Sequence, residues 1–237
     1  MGNTPDIPAA VSIDRQSVSQ SEIDTCAPYD GDSSLKGTGL VCERNDQLLF
    51  SDLAFRLGPG ELLQVDGPNG SGKTTLLRIL CGLLAPDDGE VSWCGTPIRK
   101  IKTEFFANLV FVGHKLGIKD ELTPVENLRI DRALRGSQQH VAPREALRSM
   151  GIGDHQDVPC RFLSAGQRRR VALSRLLVSR AQLWILDEPL TALDKHGQKM
   201  MRDTLVEHAG RGGMTVFTTH LTFDFGQYPV SKISLGS

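Results

Sequence analysis

The sequence has no run of about 18 apolar residues, no CxxC pair and no excess of either charge. Without such an apolar run nothing reads as a membrane span, and the most apolar stretches are broken, as at Leu176-Leu177-Val178-Ser179-Arg180. Five cysteines, at 26, 42, 81, 94 and 160, are odd in number and widely spaced. That usage suits a reducing compartment and argues against a disulfide framework or a zinc site. Lys and Arg number 27 against 28 Asp and Glu, for a net charge of −1. The basic excess expected of a generic nucleic-acid binder is missing. Internal repeats and sustained heptads are also missing. The chain reads as a soluble, cytosolic protein.

Residues 1–36 lack any helix or strand period. They also lack the basic start and apolar core of a signal peptide, and the Arg-rich, acid-poor character of a transit peptide. They hold Asp6, Asp14, Glu22, Asp24, Asp30 and Asp32 against Arg15 and Lys36, a net of −4 that leaves +3 for residues 37–237. The composition predicts a disordered acidic leader over 1–36.

From Gly37 onward, apolar segments alternate with Gly/Pro turns such as Gly58-Pro59-Gly60. Strands are expected near 39–43, 53–57, 61–66, 90–94, 109–113, 183–187 and 215–219. Helices are expected near 73–82, 124–135, 143–150, 165–179 and 197–209. This alternation predicts an α/β domain with a mostly parallel sheet. The stretch 120–160 reads as helical only, which points to an inserted helical subdomain. Thr123-Pro124-Val125-Glu126 has the form of a helix start, with Thr as N-cap, Pro at N1 and Glu at N3.

Gly67-Pro68-Asn69-Gly70-Ser71-Gly72-Lys73-Thr74 fits GxxxxGK followed by Ser or Thr. A strand-like Leu62–Asp66 precedes it and a helix with Leu76, Leu77, Ile79 and Leu80 follows, the context this motif needs. Glycines let backbone N–H groups curl around phosphate oxygens, and the helix N-terminus adds a favourable dipole. Lys73 is placed to reach the β- and γ-phosphates, and Thr74 to ligate Mg²⁺. Thr75 extends the loop. A Gly-rich turn that binds nothing is the plain alternative, and the flanking strand and helix weigh against it.

Leu183-Trp184-Ile185-Leu186-Asp187-Glu188 is an apolar strand ending in two acids. Asp187 suits Mg²⁺ coordination and Glu188 the polarisation of an attacking water. Alone, the pair equally describes a solvated turn. Its place 114 residues after Lys73, with a further motif between them, strengthens the catalytic reading.

That motif is Leu163-Ser164-Ala165-Gly166-Gln167, which resembles the LSGGQ signature of ATP-binding cassette (ABC) ATPases with Ala as its third residue. The resemblance covers about 40–237 and implies a P-loop NTPase (RecA-like) core, an ABC-type antiparallel β subdomain and a helical subdomain over about 118–165. By resemblance, Ser164, Gly166 and Gln167 close over ATP held by a second copy in a head-to-tail, ATP-dependent homodimer. Leu190–Asp194 is similar to the D-loop. His220, ending Val216-Phe217-Thr218-Thr219-His220, is similar to the switch histidine that contacts the γ-phosphate. His140, His155, His196 and His208 read as surface residues. Arg168-Arg169-Arg170 spread over about 200° of a helix, so they read as a solvated surface with no basic face for nucleic acid.

Two positions depart from the general ABC pattern. Arg44 stands where an aromatic residue stacks on adenine; a guanidinium also stacks on a base, yet base selectivity comes into doubt. His114 stands where a Gln senses Mg²⁺ and the transport partner, and its protonation would place positive charge near the metal. Taken with Leu40–Arg44, Gly117-Ile118-Lys119, Leu122–Leu128, Ala165 and Trp184, these features resemble the CcmA subfamily, the ATPase subunits of cytochrome c maturation haem exporters. That resemblance implies a peripheral subunit on the cytoplasmic face of the inner membrane, docked through residues 115–128 on integral membrane subunits of the CcmB and CcmC type. ATP hydrolysis would energise haem export or release onto the haem chaperone CcmE, with no direct haem binding by this chain. The alternatives are the ATPase of another ABC exporter and a soluble regulatory ABC ATPase.

Overall fold

The computed structural model describes residues 13–14, 33–134, 141–221 and 225–236. Most of the expected leader therefore lies outside the described residues. Of its described residues, Ile13–Asp14 form a short strand β1, Ser33 and Ser34 are in no helix or strand, and Leu35 and Lys36 already open the strand Leu35–Arg44.

A four-stranded antiparallel sheet comes first. Its strands are β2 (Leu35–Arg44), β3 (Gln47–Leu57), β5 (Asp88–Trp93) and β6 (Thr96–Pro97), in the order β3-β2-β5-β6. In β3, Phe50, Leu53, Phe55 and Leu57 are buried between more exposed neighbours, as a one-faced sheet requires. The second sheet contains β4 (Leu62–Asp66), β7 (Leu109–Val112), β8 (Leu183–Leu186), β9 (Met214–Thr218) and β10 (Val230–Ser234). Its order is β1-β10-β4-β9-β8-β7, parallel throughout except for β1. Every residue of β8 and β9 is buried, because helices cover both faces of a central parallel strand.

Helix α1 (Lys73–Leu80) follows β4, and its Leu76, Leu77, Ile79 and Leu80 belong to the core shared by the two sheets. The short α2 (Lys102–Ala107) precedes β7. On the other face of the parallel sheet, α5 (Ala165–Val178) and α6 (Lys195–Gly210) bury Leu173, Leu176, Met201 and Leu205 beside Trp184 and Phe217. A third apolar cluster joins α3 (Pro124–Leu134) and α4 (Pro143–Ser149) to the flank of α5 through Val125, Leu128, Leu147 and Val171. Helix α3 starts as its sequence predicts. The Thr123 N–H donates to Glu126 Oε2 at 2.8 Å, and the Glu126 N–H donates to Thr123 Oγ1 at 3.3 Å.

Two surface assignments are corrected. Arg169 is buried at 5% exposure inside the fold, and Arg170 pairs with Asp194 at 2.5 Å. His208 stacks flat on Trp184, with ring centroids 3.6 Å apart and planes 3° apart. Burial pushes its pKa down to about 4. His155 and His196 are exposed as expected, and His140 lies outside the described residues.

Candidate nucleotide site

Parallel strands that lie side by side end along one edge, and loops leaving that edge share a crevice. Here the adjacent strands run β4, β9, β8, β7. Their C-terminal ends deliver, in that order, the glycine-rich loop 67–72, His220, the Asp187-Glu188 pair, and His114. Strand order thus gathers residues that are far apart in sequence.

The loop takes its shape from its glycines. Gly67, Gly70 and Gly72 have φ of 144°, 85° and 96°. A Cβ at Gly67 would lie 2.5 Å from the Leu235 carbonyl oxygen and 2.6 Å from Ser71 Oγ, so only glycine fits. Gly72 leads into α1, and Leu49 of β3 packs over it. Pro68 and Asn69 are exposed, and Thr75 is half-buried on α1. Lys73 is buried, and its Nζ donates to the Gly67 and Pro68 carbonyls at 2.6 and 2.9 Å. Ser71 Oγ is buried without a hydrogen-bond partner. An unpartnered hydroxyl, turned-in backbone and an ammonium resting on its own loop form a donor set suited to phosphate oxygens.

The two acids are held by hydroxyls. Asp187, 3% exposed, accepts from Thr74 Oγ1 and Thr218 Oγ1, each at 2.9 Å. Thr218 Oγ1 also accepts from the Glu188 N–H at 2.9 Å, so one buried side chain fixes both acids. The sequence offered no signal for this, since a threonine in an apolar strand reads as packing. Glu188 has φ of 52°, a conformation disfavoured for a residue with a Cβ. Its Oε2 accepts from the His220 N–H at 3.3 Å, and Oε1 lies 3.4 Å from His220 Nε2. That second approach is within ion-pair range but makes no hydrogen bond, which leaves Oε1 buried and unsatisfied.

Arg169 lies beneath this edge. Its Nη2 donates to the Asp187 carbonyl at 2.8 Å and also to the Glu188 carbonyl. Nη1 donates to the Gly113 carbonyl at 3.3 Å and Nε to the Pro189 carbonyl at 3.4 Å. Burial pushes the guanidinium pKa down, opposed by Asp187 and Glu188. Charges balanced by carbonyls leave no pattern in a sequence, which is why this residue was misread.

The remaining site candidates lie on other elements. Ser164 caps α5: its Oγ accepts from the Gln167 N–H at 3.2 Å, while Gln167 Oε1 accepts from the Ser164 N–H at 2.8 Å. Gln167 Nε2 lies 3.1 Å from His155 Nε2. A Cβ on Gly166 would come 2.7 Å from the Ala192 carbonyl oxygen, whereas Ala165 is exposed. Arg44, at the end of β2, is paired with Asp87 at 3.0 Å. The Glu43 N–H, with help from Arg44, holds that carboxyl below its usual range. His114 is exposed at the end of β7. Among the described residues no group of three His, Cys, Asp or Glu is placed to hold a metal alone.

Comparison with known proteins agrees with this geometry. Residues 50–191 match the family model described as ABC transporter. The chain is 51% identical over 187 residues to the cytochrome c biogenesis ATP-binding export protein CcmA of Nitrosomonas europaea, covering 78% of this chain and 88% of that protein. The chain belongs to the CcmA branch of the ABC transporter family. The protein of the same description from Nitrosospira multiformis is 47% identical, with 85% and 98% covered. Among solved structures, an ATP-binding subunit of an ABC transporter superposes with a TM-score of 0.76 at 23% identity, covering 85% of both chains. A bacterial ABC transporter cassette solved as a dimer gives 0.70 at 21%, covering 85% and 94%. The fold is therefore that of an ABC ATPase, and this cassette is an ABC-type ATPase of a transporter.

Proposed function

We propose that this chain hydrolyses ATP to energise haem export or release onto a CcmE-type haem chaperone, as the peripheral subunit of a complex with CcmB- and CcmC-type membrane proteins. The observation that carries the reading is the gathering of Lys73, Thr74, Asp187, Glu188 and His220 at one edge of the sheet.

ATP would enter with its phosphates over residues 67–74. The backbone N–H groups of Gly67, Pro68-flanked Asn69, Gly70, Ser71 and Gly72 would donate to them, together with Ser71 Oγ. Lys73 would exchange its carbonyl partners for the β- and γ-phosphates. Thr74 and Asp187 would hold Mg²⁺, with His114 nearby as sensor, and other ligands would come from nucleotide and water. The bound ion would supply neutralisation of phosphate charge. Glu188 would accept a proton from the attacking water through its unsatisfied Oε1, while His220 orients that carboxylate and faces the γ-phosphate. Arg44 would stack on the adenine after leaving Asp87.

Ser164, Gly166 and Gln167 would serve a second copy. The Ser164 and Gln167 side chains bond the cap and His155, Gly166 lies against the Ala192 carbonyl, and a capped helix N-terminus with an exposed Ser is suited to phosphate. This reading divides the chain into a leader over 1–36 and a cassette over 37–237, with a helical subdomain over about 118–165. Residues 115–128 would meet the membrane subunits. Several of them (Gly117, Ile118, Lys119, Asn127 and Leu128) line a cavity of about 150 Å³ beside exposed Ile130 and Leu134. Among the described residues no helix is long and apolar enough to cross a membrane, in keeping with attachment to the cytoplasmic face of the inner membrane through partners. Nucleic acid and haem have no part in this chain's own binding.

The test is Glu188→Gln. Turnover should fall about 100-fold or more, with an ATP-bound dimer accumulating on gel filtration. Unchanged turnover sinks the mechanism. Loss of c-type cytochromes on deletion of the gene, with recovery by the wild-type chain, tests the pathway.

A further inference from the structure

We propose that Arg169 is a positioning residue for hydrolysis, a clamp that ties the start of α5 to the backbone carrying Glu188 and His114. The proposal rests on the catalytic reading of Glu188 given above.

The segment from Asp187 to Ala192 is strained at two non-glycine residues, Glu188 with φ of 52° and Ala192 with φ of 64°. Such conformations persist only where neighbours enforce them. Here the first two turns of α5 grip the segment at both strained points. Gly166 lies against the Ala192 carbonyl. Arg169 donates to the successive carbonyls of Asp187, Glu188 and Pro189. Its remaining bond reaches the Gly113 carbonyl, one residue before His114. A fork of five N–H donors can serve carbonyls from two loops at once, and a lysine ammonium cannot.

The clamp has a mechanical consequence. Ser164, the N-cap of α5, is the residue assigned to the second copy's nucleotide. Arg169 lies five residues further along the same helix, in the same rigid element. A displacement of α5 on engagement across the dimer therefore reaches the backbone of Glu188 directly. The hydrogen bonds of Arg169 go to the carbonyls of Gly113, Asp187, Glu188 and Pro189 and to none of residues 67–74, which carry the phosphates. Removing the guanidinium is thus expected to lower the rate of hydrolysis and leave nucleotide affinity alone.

The experiment compares wild type, Arg169→Gln, Arg169→Lys and Glu188→Gln, with and without Arg169→Gln in the last background. Each is the full chain, isolated or with its membrane subunits, in the preparation where the wild type hydrolyses ATP. Turnover is measured beside equilibrium binding of a fluorescent ATP analogue and a thermal melt. Arg169→Gln should lose about 10- to 100-fold in kcat, the scale of a displaced catalytic group, with the dissociation constant within about twofold. Arg169→Lys should fall between it and wild type. In the Glu188→Gln background Arg169→Gln should add less than about a twofold loss, because both act through one carboxylate. Should Arg169→Gln fail to fold, the same split between kcat and affinity in Arg169→Lys carries the proposal. Wild-type kcat in a folded Arg169 variant, parallel loss of kcat and affinity, or a full additional loss in the Glu188→Gln background overturns it. A wild type and a Glu188→Gln variant with equal turnover would overturn the catalytic reading itself, and this inference with it.

Discussion

The strand-end site and the signature turn, both assigned to phosphate in the proposed function, are held in opposite ways. At the strand ends, Lys73 and Thr74 open the helix after β4, while Asp187, Glu188 and His220 follow β8 and β9. Thr74, Asp187, Glu188 and His220 are tied together by hydrogen bonds that run through the buried Thr218, and Lys73 rests on its own loop. The signature turn is self-contained: Ser164 and Gln167 satisfy each other, and the hydroxyl remains exposed. One region is a crevice assembled from several elements, and the other is a cap offered outward. Arg169 and the Gly166–Ala192 approach are where the two meet. On the proposed reading, the site is assembled within one chain while its closure depends on another.

Substitutions at the junction should separate the two regions. Gly166→Ala places a methyl against the Ala192 carbonyl, where overpacking costs about 1–3 kcal/mol; turnover should drop about tenfold or more while a fluorescent ATP analogue still binds. Thr218→Val keeps the shape of the crevice but removes the hydroxyl shared by Asp187 and Glu188. It should lower kcat about tenfold and stability by about 1–3 kcal/mol, read by steady-state assay and denaturant melt.

The pH limb of stability lies away from both regions. The His208 imidazole ordinarily titrates at 6.5 and here at about 4. The unfolded chain therefore takes up the proton first as pH falls. The stability it contributes is complete above about 6.5 and is lost between there and about 4, by up to about 3 kcal/mol. His208→Phe should keep the stack on Trp184 and flatten that limb in melts at pH 7 and pH 5. The smallest effect is expected at Ala165→Gly. Ala165 is exposed at the first position of α5, so restoring the general signature residue should shift turnover less than about twofold and cost less than about 1 kcal/mol.

Much of this was legible in the sequence because the informative residues are also the ones local geometry constrains. The glycines of 67–72, the apolar run of β8 and the capping pattern at Thr123 each require a particular backbone, and the structure has it. Strand β10 was missed because only Ile233 of Val230–Ser234 is buried, leaving no alternation to read. Helix α2 and the two-residue β6 are too short to show a period. Arg169 and His208 were misplaced for a different reason. The middle of three arginines turns inward by helix rotation and finds backbone carbonyls, and the histidine finds an indole and the Gln182 carbonyl. Neither partner can be recognised from composition or spacing.

The central claim is that the nucleotide held at residues 67–74 is closed by the signature turn of a second copy. The direct measurement mixes two differently tagged chains, one bearing Asn69→Cys and the other Ser164→Cys, both in a Glu188→Gln background. Both also carry Cys26→Ser and Cys94→Ser, since Cys94 is the exposed free cysteine among the described residues. Mild oxidation with ATP should give a crosslinked product carrying both tags, and oxidation without nucleotide should not. ATP binding with no such product would contradict the account.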